Sequence, residues 1–519
     1  MIHGAPCRAC CHDQHVSDDR PHFGPGELRR RTARGGAING AFLGGAEALV
    51  LAQGLIVTAL LGPVAIGLYG VVTTTAMTLV ALKRVGIDEA FVQQSEAAQE
   101  EEFQRAFSIE LGLAVLLAVT IAVAAPVLAL AYGEESLLPL TLAVAYLPVA
   151  FALQSPGWIF YRRMDFLRQR LLQGVVPLVT FAVTVPLAVA GVGVWSLVIG
   201  PFAGNAIGVA AAMRLSPYRL RLRFDRATAR RYLTFSWPIF LAAGAALVVQ
   251  GGQVFAFDLE GGIAAAGFIT LAATLTRYAD RADQIVATTI YPAVCAVRHR
   301  RAVLEELFTK SNRLTLAWTL PFCASIGLFA GDLVELVLGE EWRPAVVLLQ
   351  GLAVAAGLQQ LGYNWFAFYR ARGESRPQAV ESAVMLAGFL ALAVPGLFLW
   401  GFEGFVAGRV AGTVLVLAVR RSYIRRLLPG VRTAALTARA AVPVAAAALV
   451  VLVLREGVWS GDRTAARAVV ELVAFGGLVA AVTWWLERDL LRELGAYARP
   501  GGVRAPAVAG TEPLAPASV

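Results

Sequence analysis

The chain has 519 residues, of which 57% are hydrophobic and only 16% are charged. A soluble protein of this size carries about a quarter charged residues, so the composition excludes an ordinary soluble enzyme. The formal net charge of +9 does not indicate a nucleic-acid-binding protein, because the lysines and arginines are divided among many short segments between apolar stretches.

The first 35 residues are polar and lack the apolar core of a cleavable signal peptide. Cys7, Cys10 and Cys11 are spaced C-x-x-C-C-H, close to several histidines. This spacing leaves a metal site open as an alternative, although no second ligand pair follows at a zinc-finger distance. We expect a disordered cytoplasmic tail over residues 1–35, with the first apolar span directing insertion into the membrane.

Apolar stretches of about 20 residues follow one another over most of the chain. A helix needs about 20 apolar residues to cross the hydrocarbon core, and unpaired backbone groups are not tolerated there. The sequence therefore predicts an all-α, polytopic membrane protein with about 14 transmembrane helices, over residues 38–61, 64–86, 106–131, 136–157, 172–191, 193–213, 233–257, 262–297, 314–338, 344–369, 378–400, 402–419, 437–454 and 467–486.

The basic residues set the orientation of these spans. With the N-terminus inside, 38 of the 45 lysines and arginines fall in cytoplasmic segments and only four in outside loops. This bias predicts a multi-pass protein of the cytoplasmic (inner) membrane with both termini cytoplasmic, and it favours an even number of helices.

A weak internal repeat appears at an offset of 200 residues. Parallel repeats of this kind build many secondary transporters, with the substrate route at the repeat interface. Seven positions are identical without a gap, pairing Gly44, Ala46, Gln53, Gly62, Ala65, Gly67 and Thr74 with Gly244, Ala246, Gln253, Gly262, Ala265, Gly267 and Thr274.

The repeat predicts two pseudo-symmetric six-helix lobes over residues 36–214 and 233–420. A basic cytoplasmic linker over residues 215–232 joins them, and two extra helices (421–490) and a disordered tail (491–519) follow. The linker either anchors the protein to anionic lipid headgroups or docks a partner enzyme.

The eighth span carries charged residues in its middle. Arg277, Asp280, Arg281 and Gln284 are spaced i, i+3, i+4, i+7 and so share one helix face, with Asp283 beside them. Each ionisable group in a span costs about 2.5–3.5 kcal/mol unless it is paired or faces water. Two interpretations stay open: a self-neutralising Arg–Asp ladder outside the bilayer, or a cavity wall whose arginines hold an anionic substrate.

Further polar residues lie in or near spans. Gln53 and Gln253 are added to the substrate-binding candidates because the repeat pairs them, and Glu47 stands on an otherwise apolar first span. An ion-coupling carboxylate would come from Glu47, Asp280 and Asp283. The remaining isolated polar residues are more typical of interhelical hydrogen bonding than of ligand contact: Asn205, Gln250, Gln359, Gln360, Asn364 and Arg409.

Several chemistries are excluded by absent motifs. Only two lysines occur, Lys83 and Lys310, and neither stands in a G-x-x-x-x-G-K-[ST] loop, so ATP is not hydrolysed by that route. No histidine lies in a predicted span and no H-E-x-x-H is present. Outside loops are too short for a catalytic domain. The sequence therefore predicts a protein that is not an enzyme, with no cofactor and no metal.

Six segments in order resemble the polysaccharide (O-antigen type) flippases of the multidrug/oligosaccharidyl-lipid/polysaccharide exporter superfamily, and together they cover about residues 38–430. They are GPVAIGLYGVVTTTAMTLVALKRVGIDEAFVQQ (62–94), FYRRMDFLRQRLLQGV (160–175), GVGVWSLVIG (191–200), GFITLAATLTRYADRADQIVATTIYPAV (267–294), FAGDLVELVLGEEWRPAVVLLQGLA (329–353) and AFYRARGESRP (367–377).

This resemblance implies a two-lobed, V-shaped bundle whose central cavity opens alternately to each side. The implied substrate is a polyprenyl-pyrophosphate-linked oligosaccharide, and the implied partners are membrane lipid and glycan-assembly enzymes at cytoplasmic loops. Arg277 and Arg281 would bind the pyrophosphate, while Asp280 and Asp283 partly cancel their charge, which favours a switchable ion pair. An ion-coupled multidrug antiporter of the same superfamily and a membrane enzyme of envelope assembly stay open as alternatives.

Overall fold

The computed structural model describes most of the chain between residues 25 and 498. The N-terminal cysteines, Gln284 and the tail after residue 498 lie outside the described residues, which are 25–82, 87, 91, 99–163, 165–281, 283, 286, 290, 294, 297, 300–372, 374, 376–458 and 463–498.

Helices account for all of the regular structure in these ranges, and no strand occurs there, which confirms the all-α prediction. In chain order they are α1 (Pro25–Leu82), α2 (Gln99–Tyr132), α3 (Leu137–Val144), α4 (Leu147–Leu153), α5 (Gly157–Arg162), α6 (Phe166–Val189), α7 (Ser196–Leu215), α8 (Arg226–Thr276), α9 (Arg301–Leu333), α10 (Ala345–Gln359), α11 (Trp365–Arg370), α12 (Arg376–Gly388), α13 (Val394–Leu427), α14 (Thr433–Val453) and α15 (Ala465–Ala498).

Ten helical segments of the described part are long and apolar enough to cross a membrane, which confirms a polytopic membrane protein. Three of the long helices are kinked, at Gly62 in α1, at Gly261 and Gly262 in α8, and at Trp400 and Gly401 in α13. Each kink falls at an expected outside turn between two predicted spans. The count of fourteen spans stays a prediction.

The kinks of α1 and α8 have the same backbone geometry. Gly62 has φ 74° and ψ 173°, and Gly262, 200 positions later, has φ 70° and ψ −172°. This region of backbone space is open essentially to glycine alone. The local conformation therefore repeats where the sequence repeats.

The second halves of α1 and α8 cross with their backbones in contact. A Cβ on Gly67 would lie 1.9 Å from the carbonyl oxygen of Ile263, and one on Gly267 would lie 2.1 Å from the carbonyl oxygen of Pro63. The two glycines thus occupy equivalent places in a pseudo-symmetric crossing. We call α1–α7 the first lobe and α8–α13 the second lobe, and this crossing joins them.

The hydrophobic core continues from one lobe into the other around this crossing. Val71 and Val72 of α1, Phe257 and Ile269 of α8 and Leu397 of α13 belong to one cluster of buried side chains. The largest buried side chain of the cluster is Trp342, against which the ring of Phe268 packs edge-on. The lobes therefore share an apolar contact on the predicted outer side.

The last two helices, α14 and α15, pack against α9. Phe329 of α9, Ala447 and Val451 of α14, and Phe475 and Val479 of α15 form a separate buried cluster. Charged groups bind the three helices at both ends. Glu487 accepts hydrogen bonds from Arg313 and Arg439 at one end, and Asp332 and Glu471 accept from Arg455 and Arg463 at the other.

The linker between the lobes lies along the start of α2. The Arg219 backbone N–H donates to Glu100 (3.1 Å), and the amide of Gln104 donates to the Arg219 carbonyl (2.9 Å). The Arg223 backbone N–H donates to Ser108 Oγ (2.7 Å). Part of this basic segment is therefore held on the first lobe, while the side chains of Leu222 and Phe224 are exposed.

Candidate functional site between the lobes

An ion pair crosses from the first lobe to the second. Nη2 of Arg281 lies 3.3 Å from Oε1 of Glu47, and both side chains are partly exposed, 48% for the arginine and 32% for the glutamate. The guanidinium also lies 5.9 Å from the centre of the Tyr278 ring. Two residues that the sequence selected for different roles, coupling and substrate binding, are thus brought together.

The depth of this pair follows from the distance to the two kinks. Glu47 precedes Gly62 by 15 residues and Arg281 follows Gly262 by 19, which places them about 22 Å and about 28 Å from the kinks at 1.5 Å per residue. The hydrocarbon core is about 30 Å thick. The pair therefore lies toward the predicted cytoplasmic side of the span, opposite the apolar contact.

Arg277 belongs to a 3₁₀ turn, Arg277–Asp280, that continues α8. Its side chain is exposed, and Nη2 lies 3.3 Å from Oγ1 of Thr274 one turn earlier. Within the described ranges it forms no ion pair. A charged donor is thus exposed one turn away from the Arg281–Glu47 pair.

The two aspartates of the stripe face the second lobe. Asp280 accepts a hydrogen bond from the amide of Gln360, at the end of α10. Asp283 is 2% exposed, and its Oδ1 has no hydrogen-bond partner among the residues that the structure describes. Asp280 is therefore held against α10 by Gln360.

The contacts of Asp280 and Arg281 extend beyond their own helix. The amide of Gln360 binds the carboxylate of Asp280, and the packing of α1 against α8 brings Glu47 to Arg281. The expected switchable partner of Arg281 was Asp280 or Asp283. The structure adds a partner that the sequence does not predict, because Glu47 of the other lobe lies next to Arg281.

The two glutamines that the sequence repeat aligns differ in how deeply they are buried. Gln53 is half-buried on α1, and Gln253 is 8% exposed on α8. Gln284 lies outside the described residues. The structure thus brings together Glu47, Arg281 and the neighbouring Arg277, and it directs Asp280 and Asp283 toward the second lobe.

Interhelical hydrogen bonds confirm the expectation for several polar residues. The amide of Gln154 donates to Asn205 (2.9 Å) in the first lobe, and that of Asn312 donates to Asn364 (2.8 Å) in the second. Asn364 in turn donates to Ser311. These residues stabilise helix contacts inside each lobe.

A buried ion pair in the second lobe was missed by the sequence reasoning. Arg420 is 2% exposed and donates from Nε to Glu381 (3.0 Å), and also to the backbone carbonyls of Gln359 and Leu361. The other oxygen of Glu381 accepts from the indole of Trp365 (3.1 Å). The sequence gives little indication of this pair, because Arg420 follows the predicted span 402–419 and is therefore expected in a cytoplasmic loop.

A comparison with family models identifies the family of the chain. Residues 56–347, more than half of the chain, match the family described as polysaccharide biosynthesis protein. The chain belongs to this family. The resemblance to polysaccharide flippases in the sequence is thereby confirmed.

One curated relative is the succinoglycan biosynthesis transport protein ExoT of Rhizobium meliloti (strain 1021). Our chain is 22% identical to this relative over 311 residues, which is 58% of our chain and 62% of the relative. The chain thus spans less than two-thirds of the length of the relative that it matches.

Solved structures of transporters share the fold. The lipid II flippase MurJ in an inward closed conformation superposes with a TM-score of 0.68 at 10% identity, covering 86% of this chain and 99% of MurJ. An inward-facing MATE family multidrug resistance transporter of the MOP superfamily gives 0.60 at 17% identity, covering 74% and 95%. At these identities the likeness shows the fold, which agrees with the predicted two-lobed bundle.

Proposed function

We propose that this polysaccharide biosynthesis protein is a flippase that moves a polyprenyl-pyrophosphate-linked oligosaccharide across the cytoplasmic membrane by alternating access. The observation that carries the proposal is the pair of exposed arginines, Arg277 and Arg281, beside the Glu47 contact between the lobes. The family match and the transport role in the name of the Rhizobium relative support it.

The proposed substrate contact is a competition between two anions for Arg281. A guanidinium offers parallel N–H donors to phosphate oxygens and always carries its charge. A pyrophosphate reaching Arg277 and Arg281 from the cytoplasmic leaflet would replace the Glu47 carboxylate on Arg281. Substrate binding is thus linked to breakage of a contact between the lobes, as alternating access requires.

We assign ion coupling to the carboxylates Glu47, Asp280 and Asp283, with Asp283 as the strongest candidate. A buried carboxylate oxygen without a hydrogen-bond partner is stabilised by a proton or a small cation. The open Oδ1 of Asp283 therefore supports a role in loading a coupling ion. Gln53, Gln253 and Gln284 complete the proposed substrate-binding residues.

The proposed setting is the cytoplasmic (inner) membrane, with both termini in the cytoplasm and no catalytic step on the chain. The basic linker over residues 215–232 is a proposed contact for anionic lipid or for a glycan-assembly enzyme. The two lobes have the proposed boundaries 36–214 and 233–420.

The proposal is tested by replacing both arginines in a strain that lacks the chromosomal gene. Arg277→Ala with Arg281→Ala should abolish surface polysaccharide and leave lipid-linked intermediates in the cytoplasmic leaflet, with normal amounts of protein in the membrane. Arg425→Ala, an exposed arginine near the end of α13, is the matched control and should export normally. Normal export by the double variant contradicts the role of the pair.

The multidrug antiporter alternative predicts a different result in the same strains. Drug accumulation in cells with and without the wild-type protein should be equal if the flippase proposal is correct. A lower drug content in cells that express the protein, with no change in glycolipid translocation, favours the antiporter.

A further inference from the structure

The side chain of Arg409 carries an unpaired charge in the described part of the second lobe. It lies on α13, in the predicted span 402–419, and is half-buried among second-lobe side chains. Nε is buried without a hydrogen-bond partner, and no ion pair of Arg409 is found among the described residues. The expected interhelical hydrogen bond of this side chain is therefore wrong within the described part.

A guanidinium with a buried and unpartnered Nε costs free energy in a membrane span unless another group compensates its charge. An arginine in a membrane-spanning helix pairs with another group or faces a water-filled cavity. Arginine does not relieve the cost by losing its proton, because a guanidinium keeps its charge in proteins. An additional partner from outside the chain is therefore expected at Nε.

Arg409 lines a cavity that has room for such a partner. The cavity has a volume of about 220 Å³ and lies among α12, α13 and the residues that join α10 to α11. Gln378, Ser382 and Thr413 contribute polar groups to its wall. A water molecule occupies about 30 Å³ of liquid, so the space holds a small ion together with several waters.

The nearest carboxylate in the wall is already engaged. Oε1 of Glu381 accepts from two nitrogens of Arg420, and Oε2 accepts from the Trp365 indole. Among the described residues that line the cavity, two arginines, Arg409 and Arg420, stand against one glutamate, which leaves one excess positive charge. A cation is disfavoured in this cavity and an anion is favoured.

We infer that the second lobe contains a binding site for a small free oxyanion, with Arg409 as its principal ligand. The guanidinium edge that includes Nε presents two parallel donors, and this geometry matches an oxyanion such as phosphate better than a spherical halide. The site lies inside the second lobe, and the inference does not depend on the proposed transport of a glycolipid.

The experiment adds anions to the purified full-length protein in detergent and measures the melting temperature at each anion concentration. Inorganic phosphate, sulfate and chloride are compared at constant ionic strength against a bulky organic anion. Phosphate should raise the melting temperature of the wild type in a saturable manner. Arg409→Gln should weaken the apparent affinity at least about tenfold, and Arg409→Lys should lie between them because ammonium lacks the bidentate edge.

Arg425→Gln on the same helix is the control and should respond as the wild type does. Equal phosphate responses of Arg409→Gln and the wild type overturn the site, as does a response that follows ionic strength alone. If Arg409→Gln does not fold, an unchanged response of Arg409→Lys overturns the bidentate geometry. A short-chain prenyl pyrophosphate that binds more tightly than phosphate and needs Arg409 overturns the assignment to a free anion.

Discussion

Glu47 and Arg281 form an ion pair of 3.3 Å that joins the first helix of one lobe to the extension of α8 in the other. Gly67 and Gly267, by contrast, hold the two lobes together through direct backbone contact. The first contact is charged and partly exposed, whereas the second is apolar and closely packed. Opening toward the predicted cytoplasmic side therefore requires the weaker contact to break.

Glu47→Gln should favour that opening. A partly exposed pair is worth about 0.5–1 kcal/mol, so its loss should raise the open population about two- to fivefold. The measurement is the rate of maleimide labelling of Thr274→Cys in a cysteine-free background, beside Arg277 and Arg281. Glu306→Gln removes an exposed pair with Lys310 inside one helix and should not change the rate. A labelling rate equal to that of the parent contradicts a closing role for Glu47.

Gly67→Ala should destabilise the crossing between the lobes. The added Cβ would lie 1.9 Å from the Ile263 carbonyl oxygen, so the helices must separate, at a cost of about 1–3 kcal/mol. Gly267→Ala should act in the same way, and the double variant should cost less than the two singles together, because the helices are already apart.

The readout for this crossing is the melting temperature of the purified protein. Gly54→Ala is the matched control, because nothing lies within 4 Å of its added Cβ, and it should be neutral or slightly stabilising. A Gly67→Ala variant that melts at the temperature of Gly54→Ala contradicts the contact.

Much of this arrangement could be predicted from the sequence, because the membrane imposes strong rules on apolar length and basic loops. The expected outside turns at Gly62 and Gly262 coincide with the kinks of α1 and α8. The repeat at an offset of 200 residues corresponds to a real structural equivalence. Hydropathy and repeat matching thus gave the helices and their order.

The pairing of charged side chains could not be predicted in this way. Arg281 was assigned to neighbours on its own helix, yet its partner Glu47 is 234 residues earlier in the chain. Arg420 and Glu381 belong to different helices and meet because α12 and α13 pack together. Helical spacing identifies residues on one face but does not show which other helix lies against that face.

Glu471→Gln should detach the last two helices from α9. Glu471 is fully buried and accepts hydrogen bonds from Arg455 and Arg463, so its loss leaves two cations with one carboxylate, Asp332, at a cost of about 3 kcal/mol. The melting temperature should fall. Glu335→Gln, at an exposed glutamate just after α9, should not change it, and a similar fall in both variants contradicts the assignment.

The stabilising effect of the cluster formed by Asp332, Glu471, Arg455 and Arg463 should persist at alkaline pH. Hydrogen bonds to Asp332 and Glu471 raise the pKa of Arg463, in the segment before α15, above its ordinary value. A raised folded-state pKa gives stability that is complete below the unfolded value and is lost only above it. The difference in melting temperature between the wild type and Glu471→Gln should therefore be constant from pH 7 to about pH 11. A difference that vanishes in this range contradicts the role of the Arg463 charge.

Asp283→Asn should separate ion coupling from substrate binding. The substitution keeps the shape of a side chain that is 2% exposed but removes the group that can take up a proton or cation. Because Oδ1 has no hydrogen-bond partner in the described part of the chain, the loss of its charge should not lower the melting temperature.

Proteoliposomes that contain Asp283→Asn and a labelled lipid-linked oligosaccharide should show translocation that no longer responds to an imposed proton or sodium gradient. Asp489→Asn, an exposed aspartate on α15, should respond as the wild type does. An unchanged gradient response of Asp283→Asn would exclude this carboxylate from coupling and leave Glu47 and Asp280 as the candidates.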